Sequence, residues 1–249
     1  MTSFLIALQF LSRIQLAKQS VWTEEDFGRS LCWFPIVGTI IGALLYGFWL
    51  LLSHVFTGGT LSVLIVAFWY GLTGGLHADG FMDTADGLFS ARSRERMLEI
   101  MKDSRVGSNG VMAFFFLALL KICFTATMEE SAYMLCLVAI PTAARYGTLI
   151  SVLEFPYARQ NGMGKAFATY ARSYTLVWGF LAALVPLLCI HEVYFVLLGA
   201  AMATALVANT YITKCLGGVT GDTYGAVTEL TELVLLGICA ALSSIYIPF

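Results

Sequence analysis

Seven stretches of this chain are apolar for long enough to cross a bilayer: residues 33–53, 61–78, 108–128, 131–152, 174–190, 193–213 and 230–248. A helix needs about 20 such residues to span ~30 Å of hydrocarbon, and backbone in lipid must satisfy its own hydrogen bonds. The expected fold is therefore all-α, a polytopic membrane bundle of about seven transmembrane helices. Only 12% of the residues are charged, about half the share of a soluble domain, which excludes an ordinary soluble enzyme. No Pro-rich or Ser-rich linker interrupts the spans, so residues 1–249 read as a single integral membrane domain. The narrowest connection is His191 and Glu192, between the fifth and sixth stretches, where a long re-entrant pair fits as well.

The basic residues orient the bundle. Arg13, Lys18 and Arg29 precede the first span; Arg92, Arg94, Arg96, Lys102 and Arg105 lie between the second and third; Arg159, Lys165 and Arg172 follow the fourth; Lys214 follows the sixth. The alternate loops carry none, so the positive-inside rule puts the amino terminus and every basic loop in the cytoplasm, as expected of a multi-pass protein of the cell inner (plasma) membrane. Lys121 and Arg145 alone fall inside spans, where a charge needs a partner or a polar cavity. The net charge of −2 argues against a nucleic-acid partner. Six cysteines show no CxxC pairing and read as small apolar residues, with no disulfide framework and no zinc site. No basic side chain precedes the short apolar run at residues 1–12, so no cleaved signal peptide is expected. Phe4, Leu8 and Leu11 repeat there at the spacing of an interfacial or packing helix.

Against this apolar background, "GGLHADGFMDTADG" at 74–87 gathers three carboxylates. Asp79, Asp83 and Asp86 stand at i, i+4 and i+7, and on a helix their side chains share an arc of roughly 60°. Like charges so placed repel, a conflict that a cation such as Mg2+ removes. A second acidic segment, "GGVTGDTYGAVTELTE" at 217–232, repeats the seven-residue separation with Asp222 and Glu229. Its glycines, Gly221 among them, let backbone approach a ligand. The competing reading of both segments is a set of solvated helix-capping acids. His77 is a candidate ligand or general base, although a lone His at a span end is more often structural. Arg105 in "KDSRVGSNG" and Arg159 in "YARQNGMG" sit in glycine-rich turns that suit phosphate recognition, and Arg145 is a third candidate. "SRERMLEIMKD" reads as an amphipathic surface helix with Ser93 as its N-cap and Met97, Leu98 and Met101 on one face. The aromatic residues Trp69, Tyr70, Phe114, Phe115 and Phe116 are candidate walls of a wide cytoplasm-facing groove, although each reads first as packing.

Four separated segments, "GGLHADGFMDTADGLFSARSRERMLEIMKDSRVGSNGV", "AARYG", "YARQNGMGKAF" and "GGVTGDTYGAVTELTE", together with "FLIALQFLSRI" at the start, closely resemble the cobalamin synthase family. The resemblance implies an adenosylcobinamide-GDP ribazoletransferase that uses Mg2+. A ribose hydroxyl of α-ribazole, or of its 5′-phosphate, would attack the cobinamide-linked phosphorus of adenosylcobinamide-GDP, and GMP would leave. On that reading Asp79, Asp83, Asp86 and Asp222 hold the metal, and Glu229 ligates or supports it. Arg105, Arg145 and Arg159, with the backbone at Gly221, contact substrate, and Asp83, Asp86 or His77 takes the proton. Faces turned to lipid and to a second copy look alike, so a homo-oligomer is compatible with the sequence but not specified by it. A CDP-alcohol phosphotransferase shares the reaction type, but here Asp83 and Thr84 stand where its pattern has Ala-Arg. A cation-coupled transporter would place its carboxylates near the bilayer midplane.

Overall fold

The computed structural model describes residues 3–16, 22–188 and 192–244, and those residues contain helices, turns and one isolated parallel bridge, Tyr157 to Val219, but no strand. The amino-terminal helix α1 (Ser3–Leu11) buries Leu8 and Leu11 and stacks Phe4 edge-on to Trp33, so it packs on protein. Helix α2 (Glu24–Ser30) is capped by Thr23, whose side chain accepts from the Asp26 amide, and carries three acids in its first turn, both favourable at an N-terminus. It runs through a short 3-10 turn into α3 (Phe34–Leu52). Then come α4 (Gly58–Thr73), α5 (Leu76–Leu88), the short α6 (Arg94–Ile100) and α7 (Ser108–Ala126). The second half holds α8 (Tyr133–Glu154), α9 (Met163–Tyr170), α10 (Thr175–Ala183), α11 (Tyr194–Leu216) and α12 (Gly221–Ser244).

Among the described residues, five helical segments are long and apolar enough to cross a membrane singly: Glu24–Leu52, Ser108–Ala126, Cys136–Glu154, Tyr194–Leu216 and Gly221–Ser243. The expected seven is reached only by counting two bent pairs as spans. Residues 61–78 do not form one straight helix. The chain turns by 92° between α4 and α5, because Gly74 and Gly75 both adopt left-handed backbone (φ 65° and 70°) that ends one helix and starts the next. In the 174–190 stretch α10 has only 9 residues, far too short at 1.5 Å per residue to cross alone, and α9 meets it at 107°. The last span begins at Gly221 rather than near 230, so the second acidic segment is the first half of a membrane helix. Lys18, Cys189, His191 and residues 245–248 lie outside the described residues.

Helix α8 is the axis of the bundle: 94% of its membrane segment is buried, against 22% for α7 and 33% for α11. Its polar residues explain why. Thr142, Arg145, Thr148 and Ser151 recur every three residues and therefore drift around the helix, so each meets a different neighbour. Thr142 bonds Thr39 on α3 (3.0 Å), Arg145 pairs with Glu232 on α12, Thr148 bonds Thr228 on α12 (2.7 Å), and Ser151 accepts from Asn209 on α11 (2.7 Å). Hydrogen bonds of this kind are what side chains can add to association in lipid, where burial of apolar surface gives little.

The sixth helix has Ser93 as its N-cap, as expected. Its apolar face, however, is spent on protein: Met101 is buried, and Met97 and Leu98 pack against the core rather than into lipid.

Close approach of α3 to α8 depends on glycine. A Cβ at Gly42 would stand 2.5 Å from the Leu137 carbonyl oxygen, whereas one at Gly47, on the same helix, meets nothing within 4 Å. Gly42→Val is expected to destabilise the protein by about 1–3 kcal/mol through overpacking and to lower the apparent thermal unfolding midpoint in detergent. Gly47→Val should leave that midpoint in place.

Candidate active site

The two acidic segments meet at one end of the bundle, the end where α5 lies across the first turns of α12. Contact there is backbone to backbone: a Cβ on Gly80 would sit 2.5 Å from the Asp222 carbonyl oxygen, and one on Gly225 would sit 3.0 Å from that of His77. Side chains flanking Gly80 are thereby brought to Asp222. The amino terminus of α12 is fixed by a reciprocal pair in which the Thr220 amide donates to Thr223 Oγ1 (2.7 Å) and the Thr223 amide to Thr220 Oγ1 (3.3 Å).

Asp79 is exposed, Asp83 half-buried and Asp86 buried. Because α5 turns away from the path of α4, these acids lie at the mouth and not within a crossing helix. Burial, and then the carboxylates of Asp79, Asp222 and Asp86, push Asp83 up to about 7, with Arg159 acting against them. A carboxyl held that far above its ordinary range marks a site short of positive charge.

Arg159 comes from the connection between α8 and α9. That connection is tied to the segment before α12 by Ala158 N–H to the Val219 carbonyl and Val219 N–H to the Pro156 carbonyl, both 2.8 Å. Its Nη2 stands 2.7 Å from Asp222 Oδ2, yet the alignment is poor, and Nε and Nη2 are buried without a hydrogen-bond acceptor among the described residues. Gly221 is at the same place, opposite Gly164. The site thus joins Asp79, Asp83, Asp222, Arg159 and Gly221.

Other candidates go elsewhere. Both oxygens of Asp86 accept backbone amides at the start of α7, from Gly107 (2.7 Å) and Gly110 (2.8 Å). Since Gly107 has no side chain of its own, Asp86 is the cap of α7, supplied from α5. Arg105 is exposed and forks onto Asp103 two residues away, so it is not brought to the acids.

Glu229 and Arg145 belong to a buried cluster. Lys121 Nζ contacts Glu229 (2.5 Å) and Glu232 (2.7 Å), and Glu232 pairs in turn with Arg145. Tyr70 OH donates to Glu229 (3.3 Å), the Lys121 ammonium lies over the Trp69 and Tyr70 rings (4.9 and 5.2 Å), and His77 Nδ1 is within 3.5 Å of Arg145. Guanidinium can only donate, so His77 faces it as an acceptor. All four charges are essentially inaccessible. Two cations against two anions leave the cluster neutral, the condition on which charges persist in lipid. Glu229 as a metal ligand and Arg145 as a phosphate contact are therefore replaced by a structural reading: their partners are each other's neighbours.

Glu232, Thr148 and Thr228 escaped sequence reasoning, and Tyr70, read there as packing, also donates a hydrogen bond to Glu229. The signal for Glu232 was present, since two in-span cations call for two in-span anions, but placing the helix start near 230 put Glu229 outside it.

Among the described residues, no three His, Cys, Asp or Glu side chains stand close enough together to hold a metal ion unaided. A hard cation such as Mg2+ is commonly held by one or two carboxylates together with substrate phosphates, and the oxygen-only donors here, beside a guanidinium with donors to spare, fit that mode.

These features define a multi-pass helical membrane protein with a carboxylate and arginine site at one end of its bundle. The family described as cobalamin-5-phosphate synthase matches residues 3–240, and the chain belongs to that family. Relatives named adenosylcobinamide-GDP ribazoletransferase are 37% identical over 234 residues in Clostridium acetobutylicum, covering 93% of both chains. The one in Acetivibrio thermocellus is also 37% identical, over 93% of this chain and 94% of its own. A third, from Desulfitobacterium hafniense, is 39% identical over 93% of each. No solved structure gives a significant match.

Lys121→Met would leave Glu229 and Glu232 buried without their shared cation and is expected to cost about 3–5 kcal/mol, read as a lowered unfolding midpoint in detergent. Adding Glu229→Gln should recover part of the loss, and strict additivity of the two changes would contradict the coupling.

Proposed function

We propose that this chain joins adenosylcobinamide-GDP to α-ribazole or its 5′-phosphate with release of GMP, as its relatives' names describe. The ribose hydroxyl forms a bond to the cobinamide-linked phosphorus while the bond to the GMP oxygen breaks. The observation that carries this reading is the convergence of Asp79, Asp83 and Asp222 with the donor-rich Arg159 at one mouth of the bundle.

One or two of Asp79, Asp83 and Asp222, together with substrate phosphate oxygens, would hold Mg2+. When bound, that ion neutralises phosphate oxygens and charge building on the leaving group. Arg159 binds a diphosphate oxygen through the Nε and Nη2 donors that lack an acceptor, in the bidentate manner of guanidinium and phosphate. Of the three candidate bases only Asp83 stays with the mouth, so it is the carboxylate placed to take the proton of the attacking hydroxyl. His77, turned toward Arg145, is the weaker base. Asp86 contributes by fixing α7 against α5, and Glu229 and Arg145 by fixing α12 against α7 and α8.

Arg92, Lys102, Arg105 and Arg159 in connections, and Arg94, Arg96 and Lys165 on the short helices α6 and α9, lie on the side of this mouth, which supports a site open to the cytoplasm at the inner membrane. In a variant whose native cysteines are replaced by alanine, a thiol introduced by Asp83→Cys should react with a membrane-impermeant maleimide only from the cytoplasmic side, and labelling from outside would reverse the topology.

Asp83→Asn and Asp222→Asn are expected to abolish GMP release from adenosylcobinamide-GDP and α-ribazole in the presence of Mg2+, with insertion and unfolding midpoint preserved. Near-normal turnover in either variant would remove that residue from the site.

A further inference from the structure

Beside the acids lies a partly open cavity of about 190 Å3 whose wall includes Asp79 and Asp222 together with Phe10, Phe34, Phe167 and Tyr224. The three phenylalanines hold one another, with ring centroids 5.3 to 6.2 Å apart, so this wall is stiff and aromatic. Its size decides what can enter. A cavity of ~150 Å3 accommodates one benzene ring, so this one suits a small fused ring system and falls far short of a corrinoid. Two further polar side chains of the wall, His77 and Thr148, are already engaged by Arg145 and Thr228. Tyr224 is 6% exposed, and its hydroxyl is buried with no hydrogen-bond partner among the described residues. Buried hydroxyls are rarely left unpaired in folded proteins.

On the other side of α5 a more open hollow of about 530 Å3 also reaches Asp79, but its wall holds Gln9, Arg13 and Gln15 and the Gly74 and Gly75 backbone. A guanine nucleotide, rich in donors and acceptors, has more to bond in that polar hollow than in the aromatic one.

We propose that the aromatic cavity receives the flat, weakly polar bicyclic base of the ribazole, with the Tyr224 hydroxyl donating to the free imine nitrogen of its imidazole ring. The inference rests on the ribazoletransferase reading and adds to it the determinant of base selection. Seated there, the base points its ribose toward Asp79 and Asp222, where the attacking hydroxyl is needed. Phe10, Phe34 and Phe167 then discriminate by shape and by offering no polar partner on their side of the cavity. A base carrying exocyclic amino or oxo groups would have to bury them unpaired, which costs more than a missing contact.

The test uses the full-length protein in lipid nanodiscs with Mg2+, measuring initial rates of GMP release with each substrate varied while the other saturates. Tyr224→Phe keeps the ring and removes only the hydroxyl, and it should raise KM for α-ribazole about five- to tenfold, the value of one buried hydrogen bond, while KM for adenosylcobinamide-GDP moves less than twofold. Phe167→Leu should raise the rate with an adenine riboside of the same anomeric form relative to α-ribazole. Calorimetric titration of α-ribazole alone into wild-type protein and Tyr224→Phe reads the same affinity loss without turnover, and unfolding midpoints show that each variant is folded. If wild-type protein releases no GMP from this substrate pair, the functional reading itself fails. If it does, but Tyr224→Phe leaves both KM and affinity for α-ribazole within twofold, or shifts KM for adenosylcobinamide-GDP instead, the cavity does not hold the base and the proposal is overturned.

Discussion

The buried pairing of Lys121 with Glu229 and Glu232, closed by Arg145, is the interaction on which the arrangement of this membrane domain depends. Each member comes from a helix that lipid alone would not hold in register: Lys121 from α7, Arg145 from α8 and both glutamates from α12. Apolar surfaces slide past one another in a bilayer at little cost, because lipid tails match them. Four charges that must find one another do not slide. Displacing α12 by one turn would leave two carboxylates facing hydrocarbon, a cost of several kcal/mol for each.

From that fixed register the mouth follows. Helix α12 enters the cluster at Glu229, two turns after its start at Gly221, so fixing Glu229 also fixes the height of Asp222. Helix α5 is set against those two turns by the contacts at Gly80 and Gly225 and is tied to α7 by Asp86. The polar stripe on α8 supplies the remaining constraints, through Thr148 to Thr228 and Ser151 to Asn209. Asp79 and Asp83 therefore meet Asp222 as a result of contacts made by other residues.

Much of this was legible in the sequence, and the limits have physical causes. The ends of α3, α7, α8 and α11 fall within about three residues of the apolar stretches, since hydropathy reports burial in lipid directly. The start of α12 was missed because "TYGAVTELTE" has the composition of a polar loop. In the fold its threonines bond back to carbonyls four residues earlier (Thr228 to Tyr224, Thr231 to Val227) and its glutamates receive cations from α7 and α8. The information that makes this segment a membrane helix thus lies more than 80 residues away. Asp86 is a similar case. Its spacing placed it on the face of Asp79 and Asp83, but its use is decided by two glycine amides 21 and 24 residues further on, which no periodicity reports.

The chain carries its carboxylates in two populations, and their charge balance separates structure from chemistry. Within the bundle, two glutamates answer two cations and nothing remains to be neutralised. At the mouth, Asp79, Asp83 and Asp222 face a single guanidinium, Arg159. With all three ionised this leaves two formal negative charges, the charge one Mg2+ would balance. A protein under selection for stability alone has no reason to keep that excess beside lipid, where repulsion between carboxylates is little screened. It has a reason if a divalent cation arrives with a diphosphate, because the excess is cancelled only in the loaded state. The acid cluster then favours binding of metal and substrate together over an empty fold, and the neutral cluster beneath it keeps the bundle from collapsing when they leave.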